Sequence, residues 1–238
     1  MQALAVARER RLWDHRADGW DDGGATGLGE VVKAVLGECQ QVPDAVAVDL
    51  GAGSGAVTLP LARTCRRVLA VDVSGALLGH LAEKAASDGL DNIELLTHPI
   101  ETLEFAPGSL DLVVSNYALH HLRDADKARL LERSHGWLRP GGRLVIGDMM
   151  FGRAVTAENR QIVKSKASVF LRRGPAGWVR LTKNLVRFAI RAGEKPIPPA
   201  AWESLARRAG FETVRITQIV SEAHVLVAHK ASPGGSTP

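Results

Sequence analysis

Short apolar runs rich in Val, Ile and Leu alternate along the chain with stretches whose apolar residues recur every three or four positions. Continuous runs predict strands buried on both faces, and the periodic stretches predict amphipathic helices, which together describe a parallel sheet sandwiched by helices. The predicted strands are Ala45–Leu50, Arg67–Val73, Ile93–Thr97, Leu110–Ser115 and Arg143–Asp148. Helices are expected at about Ala56–Arg63, Gly75–Asp88 and Ala125–Leu138, the last stopped by the turn "RPGG". Two more strands, Glu212–Ile219 and Ala223–His229, lie too close in sequence for a crossover helix, so they form an antiparallel hairpin. A helix over about Ala200–Ala209 precedes them, after an extended linker imposed by Pro196, Pro198 and Pro199.

A chain of 238 residues, 45% of them hydrophobic, is long enough for one sizeable core, so a single domain with appendages is expected. No run of 18 apolar residues occurs and the N-terminus is charged within eight residues, which points to a soluble cytoplasmic protein without a signal peptide. Cys39 and Cys65 lack C-x-x-C spacing or a surrounding His cluster, so neither a metal site nor a disulfide framework is expected. Charge changes the picture in one place. Between 151 and 195 stand eleven basic residues against two acidic ones, a local +9 in a chain of net +4, leaving −5 for the remainder. The pattern divides the chain into an N-terminal helical stretch, 1–40; the main α/β core, 41–150; a basic helical insert, 151–199; a last helix and hairpin, 200–230; and a disordered tail, 231–238.

Chemistry enters at "DLGAGSGA", residues 49–56, where the first strand turns into the first helix. Glycines at such a turn let a nucleoside cofactor approach the backbone. Read as G-x-G-x-x-A the loop fits a dinucleotide; read as D-x-G-x-G-x-G it fits the nucleoside loop of a methyl-transfer enzyme. A pyrophosphate at a helix N-terminus is opposed by the carboxylate of Asp49, which suits an ammonium better. Asp72 ends the second strand, 21 residues after Gly51, where an acid can accept both ribose hydroxyls of either cofactor.

"VAVDLGAGSGAVTLPLA", "VLAVDVSGALL", "SLDLVVSNYALHHL" and "LRPGGRLVIGD" together resemble the successive motifs of class I S-adenosylmethionine-dependent methyltransferases of the small-molecule type, over about residues 40–150. The terminal hairpin extends the similarity to about 230. The resemblance implies a Rossmann-like, doubly wound seven-stranded α/β sheet, six strands parallel and one antiparallel, with helices on both faces, a helical cap, and S-adenosyl-L-methionine over the C-terminal edge. Carried over residue by residue, it implies that Asp49 and the backbone of Gly51, Ala52, Gly53, Ser54 and Gly55 hold the methionine end. Asp72 then takes the ribose, and Val73 and Leu77 line the adenosine side. The family's turn after strand three often carries a Gly-Asp-Ala triplet whose Asp accepts from the adenine amino group. Here it reads His98-Pro99-Ile100, without that acid, although the Ile100 N–H can still serve a ring nitrogen. Asn116 meets the cofactor through its backbone.

For the methyl acceptor, "NYALHHL" offers Tyr117, His120 and His121 beyond strand four, with His121 at a position that commonly points into the cleft of related enzymes. A base is optional for a neutral amine and useful for a hydroxyl or phenol. His120 and His121 are thus the candidate catalytic residues; Tyr117, Asp148, Trp13 and Trp20 are candidate substrate contacts. In similar enzymes the N-terminal segment folds over the cofactor as a lid, and insertions after strand five cap the acceptor site. The expected acceptor is a small organic molecule, natural-product or quinone-like. The basic insert fits an anionic or carrier-tethered one, while the lack of an aromatic-interleaved basic patch counts against nucleic acid. The basic helix is too poor in Trp and Phe to insert stably into a membrane. The segment "SNYALHH" is not an Asn-Pro-Pro-Tyr box, which disfavours a base-nitrogen methylase. Two alternatives stand: a nicotinamide oxidoreductase using the glycine pattern, and a non-catalytic S-adenosylmethionine-binding partner protein.

Overall fold

The computed structural model describes Arg11, Asp14 and residues 28–39, 44–152 and 195–232. Seven strands, β1 Val46–Leu50, β2 Arg67–Asp72, β3 Ile93–Thr97, β4 Leu110–Asn116, β5 Leu138–Met149, β6 Thr213–Val220 and β7 Ala223–His229, form one sheet in the order β3-β2-β1-β4-β5-β7-β6. All neighbours up to β5 pair in parallel, and β7 runs antiparallel between β5 and β6. The sheet is therefore six strands parallel and one antiparallel, as the resemblance implied. Strand order reverses between β1 and β4, and the crevice at such a reversal is where open α/β sheets bind ligands.

Side chains alternate across each strand, and the alternation builds two helical layers. Ala47, Val68, Leu112, Val114 and Val145 face Val31 and Val35 of helix α1, Leu28–Cys39, and Leu61 of the short helix α2, Thr58–Ala62. On that same face Ala70 meets Leu78 and Leu81 of α3, Gly75–Ser87. Val48, Leu50, Leu69, Val71, Val113 and Ile146 point the other way, against Leu130, Leu131 and Trp137 of α4, Asp124–Trp137, and Trp202 of α5, Pro199–Arg208. The last helix begins on a proline, whose missing N–H costs nothing in a first turn.

Helix α1 lies inside the stretch expected to act as a lid, yet its buried Val31 and Val35 make it part of the sheet's own helical layer. The layer therefore starts before residue 41. Gly147 on β5 permits the approach, since a Cβ there would stand 2.5 Å from a Val35 methyl. The helix expected over Ala56–Arg63 is shorter, because the glycine loop continues through Ala56 before Thr58 opens the helical turns. "RPGG" stops α4 as expected, but it does so inside β5: Leu138 already pairs with Leu110, and the register shifts before Arg143 meets Leu112. Trp13, Trp20 and most of the basic insert lie outside the described residues.

Candidate functional site

The glycine loop is built so that backbone, not side chain, borders the crevice. Gly51 has φ +78°, and a Cβ there would sit 2.3 Å from that of Ala118 beyond β4. Only glycine satisfies both the torsion and the approach. Gly51 and Ala52 both donate their N–H to Val71 O, at 2.8 and 3.0 Å, which ties the loop to the end of β2. Gly53 donates to Asp72 Oδ2 at 2.9 Å and Ser74 to Asp72 Oδ1 at 2.9 Å. Asp72 is buried, and burial raises its carboxyl above the ordinary range, opposed by the Ser74, Gly53 and Val73 N–H groups and reinforced by Asp14. Each of its oxygens keeps acceptor capacity beyond the bond it makes, as ribose hydroxyls need. Ser74 caps α3 by accepting from Leu77 N at 3.2 Å, while its own hydroxyl donates to Asp14 at 2.5 Å. Leu77 is buried beside it, Val73 half-buried; Ser54, Ala52 and Gly55 are buried within the loop.

Asp49 is wholly buried and receives the Thr58 hydroxyl at 2.6 Å. Burial pushes its carboxyl up to about 7; Thr58 opposes this and the neighbouring Asp72 adds to it. A carboxylate so poised gains by a cation arriving nearby.

The turn after β3 lies beside this loop, with the Ile100 Cδ1 3.9 Å from where a Gly51 Cβ would be. Residues Ile100–Thr102 form a 3-10 turn introduced by Pro99, held from α4 by Arg133, which donates to Leu103 O at 3.1 Å and Ile100 O at 3.4 Å. His98 donates its backbone N–H to Asp72 O at 3.0 Å, and its ring Nδ1 contacts Pro99 O at 2.8 Å.

Beyond β4 the chain turns sharply. Asn116 ends the strand, its Oδ1 buried with no partner among the described residues. Tyr117 takes φ +52°, a rare torsion for a non-glycine residue, and donates its N–H to Gly147 O at 2.8 Å. Burial, then Glu222 and Asp148, pushes its phenol up, so Tyr117 stays protonated. The 3-10 turn Leu119–His121 follows. His120 is buried, its N–H donating to Asp148 Oδ2 at 2.8 Å and its Nδ1 meeting Asp148 Oδ1 at 2.6 Å. Asp148 is fully buried and also accepts from Met149 N at 2.7 Å. The half-buried His121 ring meets the His120 ring at a 46° tilt, centroids 4.1 Å apart. Asp148, expected among the substrate contacts, makes its hydrogen bonds to His120 and Met149.

The same architecture recurs in solved proteins and the same segments in curated ones. A family model described as a methyltransferase domain matches residues 47–142. An uncharacterised methyltransferase of Bacillus pumilus is 29% identical over 165 residues, covering 67% of this chain and 75% of that one. A carboxy-S-adenosyl-L-methionine synthase of Pseudomonas fluorescens is 31% identical over 183 residues, covering 72% of this chain and 71% of its own. The chain belongs to the class I S-adenosylmethionine-dependent methyltransferases. Three further curated relatives of this methyltransferase are matched over only 40–57% of their own length. The 1,6-didemethyltoxoflavin-N1-methyltransferase of Burkholderia thailandensis, solved with its acceptor and S-adenosylhomocysteine, superposes with a TM-score of 0.66 at 21% identity over 97% of this chain and 90% of that one. Its fold is shared.

The cofactor of the methyltransferase is S-adenosylmethionine, and the residues fit it: a backbone-walled loop, an acid with spare acceptor capacity at the end of β2, and a buried acid beside the loop without an anion-binding role. The dinucleotide alternative is not favoured. Sequence reasoning missed Thr58, Arg133 and Asp14, which position Asp49, the 98–102 turn and the start of α3. No local pattern marks them, because each acts on a residue distant in sequence. Both cysteines are buried, and burial pushes both thiols up, away from reactivity. No helix among the described residues is long and apolar enough to cross a membrane.

Proposed function

We propose that the protein transfers a methyl group from S-adenosylmethionine to a small natural-product or quinone-like acceptor in the cytoplasm, with His121 as the base. The observation that carries the acceptor chemistry is the buried Asp148–His120 pair with the tilted His121 ring against it, at the C-terminal edge of the sheet beside the glycine loop. When bound, the cofactor supplies an electrophilic methyl on a sulfonium. The chain's task is alignment and exclusion of water. Asp49 and the loop amides hold the methionine end, Asp72 the ribose, and Val73, Leu77, Pro99 and Ile100 the base. His121 would take the proton that the acceptor gives up on methylation. Asp148 accepts from His120 Nδ1–H and holds the turn that aims both rings. Tyr117, kept as a phenol, borders the acceptor as a hydrogen-bond donor. Trp13, Trp20 and the basic insert are assigned to closing the pocket over an acceptor of anionic or carrier-tethered type.

Incubation with methyl-labelled cofactor and panels of phenolic, hydroxylated and amine metabolites tests the reading, with label expected in the small-molecule fraction. Binding of S-adenosylhomocysteine without transfer to any small molecule would return the protein to the non-catalytic alternative. His121→Ala should lower kcat by about 100-fold or more while S-adenosylhomocysteine affinity stays within about threefold. A loss of affinity with kcat intact would place His121 on the cofactor instead.

A further inference from the structure

Of the eleven basic residues between 151 and 195, Lys195 is the one that lies among the described residues. Its backbone is fixed on both sides: the N–H donates to His120 O at 2.6 Å, and the carbonyl receives Lys127 Nζ at 2.6 Å. Buried Pro196 follows it, which restricts Lys195 to an extended conformation, and Ile197 is packed in the core with Leu130 and Trp202. The origin of the side chain is therefore set by the fold, at the residue that precedes His121. The side chain takes no part in this tie. Lys195 is half-buried, and among the described residues its ammonium makes no hydrogen bond and no ion pair. The acids of the same turn are occupied: Asp148 receives the His120 ring, the His120 N–H and the Met149 N–H, while Asp124 stands 3.5 Å from Lys127 Nζ. A partly desolvated cation without a counter-charge is unfavourable until an anion reaches it.

We infer that Lys195 determines specificity for the methyl acceptor, its ammonium pairing with a carboxylate or comparable oxyanion carried near the atom that is methylated. A four-carbon stem anchored at His120 O lets the ammonium reach a group on a molecule that His121 deprotonates. Partial burial makes such a pair stronger than one on the open surface. An acceptor with a neutral group in that place leaves the cation uncompensated, so the residue discriminates by charge. The inference rests on the small-molecule methyl transfer proposed above and narrows it to anionic acceptors.

Initial rates on the full chain with methyl-labelled cofactor test it, using matched acceptors: phenolic, hydroxylated and amine compounds, each supplied as its carboxylate and as its carboxamide. The wild type should favour the carboxylates in kcat/KM by roughly tenfold or more. Lys195→Met should bring that preference within about threefold by lowering kcat/KM for the carboxylates, and Lys195→Arg, which keeps the charge, should retain most of it. Both substitutions leave the backbone tie to His120 and Lys127 available, and thermal unfolding of each variant shows that the fold is kept. No wild-type preference for the carboxylates, a preference unchanged in Lys195→Met, or an equal loss on both members of a pair overturns the assignment of Lys195 and leaves methyl transfer standing. Absence of transfer to both members of every pair, with S-adenosylhomocysteine bound, overturns the small-molecule reading and the inference with it.

Discussion

Asp49, next to last in β1, and Asp72, last in β2, stand on neighbouring parallel strands, and both carboxyls are raised chiefly by burial. Their partners separate them. Asp72 is met by backbone N–H groups from the loop and from α3, so it is organised to accept; Asp72→Ala should weaken S-adenosylhomocysteine binding by about 2–4 kcal/mol, through loss of two charge-assisted hydrogen bonds. Unchanged affinity in calorimetry removes the ribose assignment. Asp49, with one hydroxyl and a value of about 7, holds a proton in the folded chain at pH values where the unfolded chain, near 3.8, has already lost it. Its contribution to apo stability is therefore fully present below about pH 4 and is lost as pH rises through about 7. Binding of the ammonium of the methionine end runs the other way, since it favours the carboxylate. The thermal shift produced by S-adenosylhomocysteine should grow between pH 5.5 and 8, and in Asp49→Asn that pH dependence should flatten. His120 and Asp148 form the third unit at this scale. Asp148→Asn keeps the shape but places a donor or a weaker acceptor against His120, so kcat should fall by at least about tenfold with cofactor affinity little changed; a fall in affinity alone counts against a positioning role.

Among elements, the meeting of α1 with β5 is an exacting contact. Val31 and Val35 lie on Gly147 so closely that a Cβ would be 2.9 and 2.5 Å from their methyls, and 2.9 Å from Asn116 Oδ1. Gly147→Val should destabilise the fold by about 1–3 kcal/mol, read as a lower urea midpoint with unchanged slope. The same contact positions the Asn116–Tyr117 turn, because Tyr117 donates to Gly147 O. The periodicity of α1 is visible in the sequence, but its partner is not: amphipathic spacing says that a face is buried and leaves open whether a sheet or a ligand buries it. The resemblance to similar enzymes, rather than any spacing, gave residues 1–40 as a lid, and α1 within them packs on the sheet instead. Strands β1 to β4 were far more legible, because a run of Val, Leu and Ala buried on both faces has few other uses.

Across the whole molecule, one buried cation joins the turn after β4 to Lys195, near the end of the insert. Lys127 on α4 is fully buried, its Nζ donating to Leu122 O and Lys195 O, both at 2.6 Å, while Lys195 N donates to His120 O at 2.6 Å. Lys195 is thus held directly on the histidine turn. Lys127→Met should leave two buried carbonyls without this donor and cost about 2–4 kcal/mol in stability, measured by denaturant unfolding. It should also lower kcat more than cofactor affinity, because the turn it holds carries His120 and His121.

Hydrophobic spacing and turn chemistry by themselves determined the strands, the crossover helices, the hairpin and the two acids at the loop, since each depends on residues close in sequence. Gly51 could be read as necessary from its turn alone. What tertiary structure decided is which side chains meet: that Asp148 holds His120, that Thr58 caps Asp49, that Arg133 braces the 98–102 turn and that Lys127 ties residue 195 to residue 122. These contacts join residues far apart in the chain, brought together by strand order and register, and no local periodicity encodes either.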